Sequence, residues 1–503
     1  MTTVAGAVTS TPLPAGFRIG LDPAAREIGP GIWFGGSPAR IIRLTGAGQA
    51  AFRELLAGPV GSAAAGALAR RLTDAQFAHP VPPAWPASGR PDVTVVIPAR
   101  DRADLLDRCL AGLGPGGQVL VVDDGSHDAG AVAATSARHG ATLIRRPVNG
   151  GPAAARNTAL GQVRTELIAF IDSDCEPSPG WIGPLAAHFA DPLVAAVAPR
   201  ITALAGGSWA GRYTAACGPL DLGGRPARVL PGSQVSYVPT AALLVRREAL
   251  AGLAGPVGAG AVFDERLRSG EDVDLVWRLH EAGWRVRYDP SVRIGHHEPA
   301  TWRGLLSRRF RYGTSAAPLT RRHPGDVPPL VLHPWPALAV AAALGRRPAT
   351  AAAAYAASVA TLGRTLRRAG VPRRGTARAM ASAAWQTYLG TGRYATQFAA
   401  PALAAAIACP GVRGAGRRAR NRAAWRRLAA GSLLLAPPLA AWAAGPRELD
   451  PARFVLGRIT DDVAYGLGVW SGCRRERTVA PVLPRVAWRP VTTQPAASGK
   501  DEQ

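Results

Sequence analysis

The chain has 503 residues, 47% hydrophobic and 18% charged, which supplies at least two cores and excludes a disordered or small disulfide-stapled protein. Its net charge of +25 is uneven: residues 1–300 carry 28 basic and 26 acidic side chains, whereas residues 301–503 carry 31 and 8. The five cysteines are widely spaced with no CxxC pair, a usage that suits a reducing compartment and argues against a structural zinc site.

Residues 1–16, MTTVAGAVTSTPLPAG, have no basic start followed by an apolar run, so they read as a disordered N-terminus rather than a secretory signal, on a protein whose front stays in the cytoplasm. Residues 17–78 follow as a small α+β module. FRIGLDPAAREIGPGIWFGGSPARIIRLT reads as short strands broken by Gly and Pro, and AGQAAFRELLAG and SAAAGALARRL as two short helices. Residues 79–91 concentrate proline around Trp85 and read as a linker without regular structure.

From residue 92 to 320 the texture is that of an α/β domain. VTVVIP, QVLVVDD, ATLIRR and ELIAFIDSD are near-continuous apolar runs ending in polar residues. Such runs mark strands buried on both faces of a parallel sheet, whose C-terminal ends are where such sheets bind ligands. RADLLDRCLAGL and AGAVAATSARHG have helical period between them.

Residues 321–480 are Ala- and Arg-rich and read as helical, apolar and basic. Three stretches, Val327 to Gly345, Tyr394 to Val412 and Leu428 to Pro446, are each 19 residues without Asp, Glu, Lys or Arg. That is barely long enough to span a bilayer, and each contains proline. With Arg clusters such as RGAGRRARNRAAWRR (Arg413 to Arg427) beside them, the expectation is association with an anionic membrane surface. Ordinary Ala-rich soluble helices are the plain alternative. Nucleic acid is disfavoured, because the arginines accompany no reading module and the front of the chain is nearly neutral. Residues 481–503 read as a disordered tail.

Five motifs in the α/β domain carry chemistry. VVDDGS ends in Asp123 and Asp124 before a Gly turn, a place where a carboxylate meets a base or ribose and also ordinary turn chemistry. Asn149-Gly-Gly-Pro-Ala-Ala-Ala-Arg156-Asn157 lets backbone approach a ligand and offers a permanent cation for phosphate; taken alone it is a Gly-rich loop opening a helix. Asp172-Ser173-Asp174 places two carboxylates where Mg2+ or Mn2+ shares a diphosphate, or forms an Asx turn. Gly270-Glu271-Asp272-Val273-Asp274 opens a helix, where acidic residues favour the dipole or one serves as general base. His296-His297 follows, and either histidine can complete the metal shell. It is their occurrence together, in order, in one domain that favours catalysis over five independent turns and caps.

This ordered set, VTVVIPARDR, VVDDGS, NGGPAAARN, FIDSD and GEDVDLVWRL, resembles the family 2 nucleotide-sugar glycosyltransferases of the GT-A fold. The resemblance implies inverting transfer from a UDP-linked donor with a divalent metal, Mn2+ or Mg2+. It implies that Pro98, Ala99 and Arg100 line the uridine pocket, that Asp124 bonds the uracil and that Arg156 lies near the diphosphate. Asp172 and Ser173 would sit at the ribose, and Asp174 with His296 or His297 at the metal. Asp272 would be the base, with Glu271, Trp277 and Arg278 on the acceptor side. One base then suffices for a single in-line displacement, because the metal neutralises the leaving diphosphate.

The chain lacks the QxxRW motif of processive synthases and has Arg308-Arg309-Phe310-Arg311-Tyr312-Gly313 instead, so a long-chain synthase is disfavoured. The order of a small module, a family 2 domain, RFRYGTSAAPL and an apolar Arg-rich tail is similar to the mycofactocin glycosyltransferases of actinobacteria. The N-terminal module, residues 17–78, is similar to PqqD-like peptide-binding modules. That likeness implies UDP-glucose as donor, premycofactocin as acceptor, a β-1,4-linked oligoglucose product and a location on the cytoplasmic side of the membrane. A lipid-linked or cell-wall acceptor is the first alternative, and a non-catalytic nucleotide- or polyanion-binding protein is the remote one.

Overall fold

A computed structural model describes residues 11–85, 92–114, 117–204, 206–253, 261–368, 376–409, 416–487 and 492–493. In the N-terminal module, strand β1 (Arg18–Leu21) precedes a meander of β2 (Arg26–Gly29), β3 (Ile32–Gly35) and β4 (Arg40–Arg43). Helices α1 (Gly46–Ala57) and α2 (Ala63–Asp74) follow, then β5 (Ala78–Val81), antiparallel to β1. The helical spacing of Phe52 and Leu55, and of Leu68 and Leu72, turns one face of each helix onto Phe17 and Phe77 to make a separate small core.

Two boundaries move relative to the sequence. Leu13 is 1% exposed and its N–H bonds Gly66 O at 3.0 Å, so residues 11–16 are packed chain, because Gly66 leaves room for their backbone against α2. His79 and Pro80 belong to β5; proline is tolerated there because the two-stranded sheet makes β5 an edge strand. Residues 1–10 and 86–91 lie outside the described residues.

The module is seated by buried ion pairs. Arg70 on α2 grips Asp191 through both terminal nitrogens at 2.7 Å, with both side chains buried. Asp74, at the end of the same helix, meets Arg285 at 2.8 Å and Arg228 at 3.1 Å.

The α/β domain opens with β6 (Val93–Ala99), α3 (Ala103–Leu113), β7 (Gln118–Asp124), α4 (Ala129–Arg138), β8 (Thr142–Arg146), α5 (Pro152–Leu160), β9 (Leu167–Ile171) and β10 (Cys175–Glu176). It continues with α6 (Ile182–Ala186), β11 (Val194–Leu204), α7 (Trp209–Cys217), β12 (Ala227–Val229), β13 (Ala242–Arg246), α8 (Arg247–Ala251), α9 (Glu271–Glu281) and β14 (Arg285–His297). Its nine-stranded sheet runs β10-β14-β11-β13-β9-β6-β7-β8, with β12 also on β14.

The sheet is mixed, and β11 pairs parallel with β14. β9, β6, β7 and β8, the four apolar runs of the sequence, pair parallel, whereas β13 is antiparallel to both β9 and β11. β8 is the edge and no residue of it is buried, so the two-sided burial expected of ATLIRR does not hold. A hydrophobic core lies on each face of the sheet, one around Val96, Phe170 and Phe263 and the other around Ile97, Val121 and Leu185.

The remaining chain is helical: α10 (Trp302–Thr314), α11 (Ala316–Arg322), β15 (Val331–Leu332), α12 (Pro334–Leu344), α13 (Pro348–Arg368), α14 (Thr376–Ala408), α15 (Arg417–Ala444) and α16 (Pro451–Glu476). Among the described residues, one of the three uncharged stretches lies in a helix long and apolar enough to cross a bilayer. That helix is α15, with mean hydropathy 1.2 over its best window and 11% of that window buried. The stretch from Val327 yields only the 11 residues of α12, and the stretch from Tyr394 is broken by non-helical Ala399 before Pro401. Most of Arg413 to Arg427 starts α15, and residues 410–415 lie outside the described residues.

The tail after α16 is ordered in part. Val482 is buried, β16 (Arg485–Val486) pairs with β15, and β17 (Thr492–Thr493) pairs parallel with β4. Residues 488–491 and 494–503 lie outside the described residues.

Candidate active site

The sheet topology sets the site at the C-terminal ends of β6, β7 and β9, beside the far end of β14. Gly125 after β7 has φ +70°, and an added Cβ would meet Asn149 N at 2.8 Å, so only glycine lets the two loops touch. Their contact is fastened by Asp124, whose carboxylate accepts from Gly150 N at 2.9 Å, Gly151 N at 2.6 Å and Arg146 Nε at 2.8 Å. Asp123 accepts from Ser126 N and ion-pairs with Arg145. Pro98 and Ala99 end β6, and Arg100 stands exposed beyond them.

Gly151 and Pro152 start α5, which delivers Arg156 into the interior. The sequence suggests a cation open to a ligand, but Arg156 is 2% exposed and paired with Asp172 at 2.7 Å and Glu271 at 2.9 Å. Its charge is matched by two carboxylates, and its guanidinium lies 5.7 Å from the Phe263 ring centre. Exposed Arg268 instead leans over Gly151 and lines the cavity.

After β9 come Asp172, Ser173 and Asp174. Asp174 is buried, 3.4 Å from His296 Nε2 and 3.3 Å from Arg102 Nη1. β10 pairs with β14 so that Cys175 faces His296. Alternation along β14 sends the two histidines opposite ways: His296 meets Asp174, whereas His297 bonds Glu176 at 2.6 Å. The other nitrogen of His296 bonds Glu298 at 2.9 Å, the carboxylate–histidine arrangement that aims an imidazole at a metal.

Ligand atoms of Asp174, Cys175 and His296 lie within 4.8 Å of one another. Burial pushes the Cys175 thiol well up, and its Sγ sits 3.2 Å from Ala241 O, which leaves carboxylate and imidazole as the fitting donors. Burial is the largest influence on both groups and works to neutralise them, but their attraction for each other together with Arg102 and Arg308 beside Asp174 and Glu298 beside His296 outweighs it, holding Asp174 well below the usual carboxylate range and raising His296 to about 9. This strong mutual attraction is what a bound divalent cation would replace.

Opposite, Gly270 (φ +85°) opens α9, where an added Cβ would stand 3.0 Å from Ser315 and Leu319. Asp272 faces a cavity of about 440 Å³ that Asp172, Asp174, His296 and Arg156 also line. Burial, then the adjacent Glu271 charge, pushes the Asp272 carboxyl up to about 7. A carboxylate poised there takes a proton near neutrality.

Glu271 and Trp277 line the same cavity, and the Trp277 indole donates to Ser236 O at 2.7 Å. Arg278 does not line it. Its guanidinium bonds Asp274 at 2.8 Å and Val262 O at 2.6 Å, because one residue on a helix rotates the side chain by about 100°. Pro98, Ala99, Arg100, Asp124 and Ser173 also stay outside the cavity lining, around the loop junction just described.

Sequence reasoning misses Tyr237, Arg308, Arg309, Tyr312 and Tyr465, all of which line the cavity. RRFRY carries a signal for two of them, since Arg308 and Tyr312 are four apart and share a helix face.

Residues 94–253 match the family model for Glycosyl transferase family 2. The Pre-mycofactocin glycosyltransferase of Mycobacterium tuberculosis (strain CDC 1551 / Oshkosh) is 38% identical over 504 residues, covering 95% of this chain and 100% of that protein. Glycosyltransferase AglE of Haloferax volcanii is 28% identical over 234 residues, covering 44% and 72%. The mannosyltransferase PcManGT from Pyrobaculum calidifontis, solved with GDP-Man and Mn2+, is 22% identical with TM-score 0.35, covering 69% and 88%. With the motifs in place on a GT-A-like mixed sheet and a relative of that identity matched from end to end, the chain belongs to glycosyl transferase family 2.

Proposed function

We propose that the protein is an inverting, metal-dependent glycosyltransferase that moves glucose from UDP-glucose onto premycofactocin and extends it as a β-1,4-linked oligoglucose chain. The observation that carries this reading is the opposition, across one cavity, of a carboxylate with pKa about 7 and the Asp174–His296 pair. The full-length likeness to the mycobacterial Pre-mycofactocin glycosyltransferase supports the acceptor.

In this reading Asp272 takes the proton of the acceptor hydroxyl as that oxygen attacks the anomeric carbon and the bond to UDP breaks. Asp174 and His296 hold Mn2+ or Mg2+, which when bound neutralises charge on the departing diphosphate. Asp172 and Ser173 lie toward the ribose, with Pro98, Ala99 and Arg100 toward the base. Asp124 shapes the NGGP loop around the uracil end and has no oxygen wholly free for it. Arg156 fixes Asp172 to Glu271 rather than holding phosphate, and Arg268 is the cation that reaches the diphosphate. The N-terminal module serves as a PqqD-like docking element for the peptide-derived acceptor.

We infer that the C-terminal helices rest on an anionic membrane surface at its cytoplasmic side. The exposed Leu428, Leu435 and Leu439 of α15 beside its arginine-rich start support this. The same helix favours a second reading, in which the acceptor is lipid-linked.

The test incubates the full chain with UDP-glucose, Mn2+ and premycofactocin and follows hexose additions by mass spectrometry. A ladder of additions that disappears in Asp272→Asn is expected. UDP release without additions would move the acceptor to the lipid-linked class.

A further inference from the structure

The helix α16 starts 198 residues beyond the end of the family-matched segment, yet it reaches the cavity. It does so by crossing α10 with backbone on backbone. A Cβ added at Gly313 would stand 2.2 Å from Tyr465 O, one at Gly468 2.0 Å from Phe310 O, and one at Gly472 2.6 Å from Thr314 O. No side chain fits at these three points, which ties α16 to the helix that carries Arg308, Arg309 and Tyr312.

A buried ion pair closes the same crossing. Arg309 of α10 pairs with Asp461 of α16, which also accepts from the Tyr213 hydroxyl at 3.1 Å. So held, the Arg309 guanidinium lies 5.5 Å from the ring centre of Tyr465. Tyr465 lines the cavity together with Tyr237 and Tyr312, and Asp272 opens onto the same space. The electrostatics agree with that closeness: burial first, and then the charge of Asp272, raises the Tyr237 hydroxyl to about 12.

We propose that α16 forms the acceptor wall of the transfer site, with Tyr465 as the surface on which a ring-shaped, uncharged acceptor lies and Asp461 as the positioning residue that keeps Arg309 and Tyr465 in register with Asp272. This rests on the reading of the cavity as the site of glycosyl transfer. Three tyrosines lining one cavity suit a sugar or phenol ring, whose flat apolar face packs on an aromatic while its hydroxyls reach polar neighbours. Each glucose added would present the next ring to the same wall.

The experiment uses the full-length protein with UDP-glucose and Mn2+, and phenyl β-glucoside and premycofactocin as acceptors. Tyr465→Ala raises the acceptor KM about tenfold, the factor that about 1.4 kcal/mol of lost stacking gives, and moves the KM for UDP-glucose far less. Tyr465→Phe restores the wild-type acceptor KM, and Tyr465→Leu, which keeps apolar bulk without the aromatic face, does not. Asp461→Asn raises acceptor KM with the same split between the two substrates.

An unchanged acceptor KM in both Tyr465→Ala and Tyr465→Leu, while Asp272→Asn abolishes transfer, would overturn the acceptor wall and leave the transfer site standing. Wild-type transfer in Asp272→Asn would overturn the site itself, and the wall with it.

Discussion

The cavity has two walls of different origin. One is made of strand ends and their loops, where Asp172, Asp174 and His296 are placed by hydrogen-bond registry in a sheet. The other is made of helices, where Arg309, Tyr312 and Tyr465 are placed by a glycine-lined crossing and a buried ion pair. On the strand-end side the sheet holds the frame regardless of what the polar tips do. On the helical side the polar groups are themselves part of what holds the frame. The two walls should therefore respond differently to substitution.

Asp272 stands between them and gives the largest expected effect on rate. Asp272→Asn should lower transfer about 10²- to 10⁴-fold, the usual contribution of a general base, with nucleotide affinity by calorimetry kept. Because Asp272 must be ionised to accept a proton and titrates at about 7, kcat/KM of the wild type should fall about tenfold per unit below that pH and level off above it. Stability runs the other way. A carboxyl whose pKa is raised on folding binds protons more tightly when folded, so its contribution is full below pH ~4 and is lost as pH rises through 7. Asp272→Asn should melt higher than the wild type at pH 8, and the difference should vanish toward pH 4. Equal melting at both would separate the base from the electrostatic strain assigned to it.

The helical wall should show the reverse signature. Asp461→Ala leaves Arg309 buried without its partner and should cost about 3 kcal/mol or more in denaturant unfolding. Gly468→Ala forces a methyl group toward Phe310 O and should cost about 1–3 kcal/mol. If the melting point were untouched by either change, the crossing would not be the structural joint described here.

The same contrast explains what was legible in sequence. VVDDGS, FIDSD and GEDVD were readable because a buried strand or a helix start imposes a local pattern, and the polar residues at its end stand out against it. The reversed strand β13 is not legible in the sequence, since nothing local tells a buried antiparallel strand from a parallel one. Arg156 looked like a phosphate cation because its neighbours in sequence are small and apolar. Its true partners, Asp172 and Glu271, are 16 and 115 residues away. Tyr465 was illegible for the same reason: its meaning depends on Gly313 and Gly468, which in sequence look like interruptions of a helix rather than the surface of a joint. The tail arginines, one charge excess in the sequence, include buried or half-buried ion-paired ones such as Arg308, Arg309, Arg322 and Arg458 as well as the exposed set at the start of α15.

The smallest effect tests the strand-end wall on its own terms. His296 and His297 are adjacent, but only His296 faces Asp174, and its ring is set by Glu298. Glu298→Gln keeps a hydrogen-bond acceptor for the His296 ring and removes the charge behind it, so Mn2+ affinity measured by electron paramagnetic resonance should weaken about tenfold, the lower end of what such outer partners contribute. His296→Ala should weaken it further, and His297→Ala, whose ring is turned to Glu176, should leave it near wild type. The reverse order of the two histidines would mean that β14 presents its other face to the metal, which a single-residue slip in the β10–β14 pairing would produce.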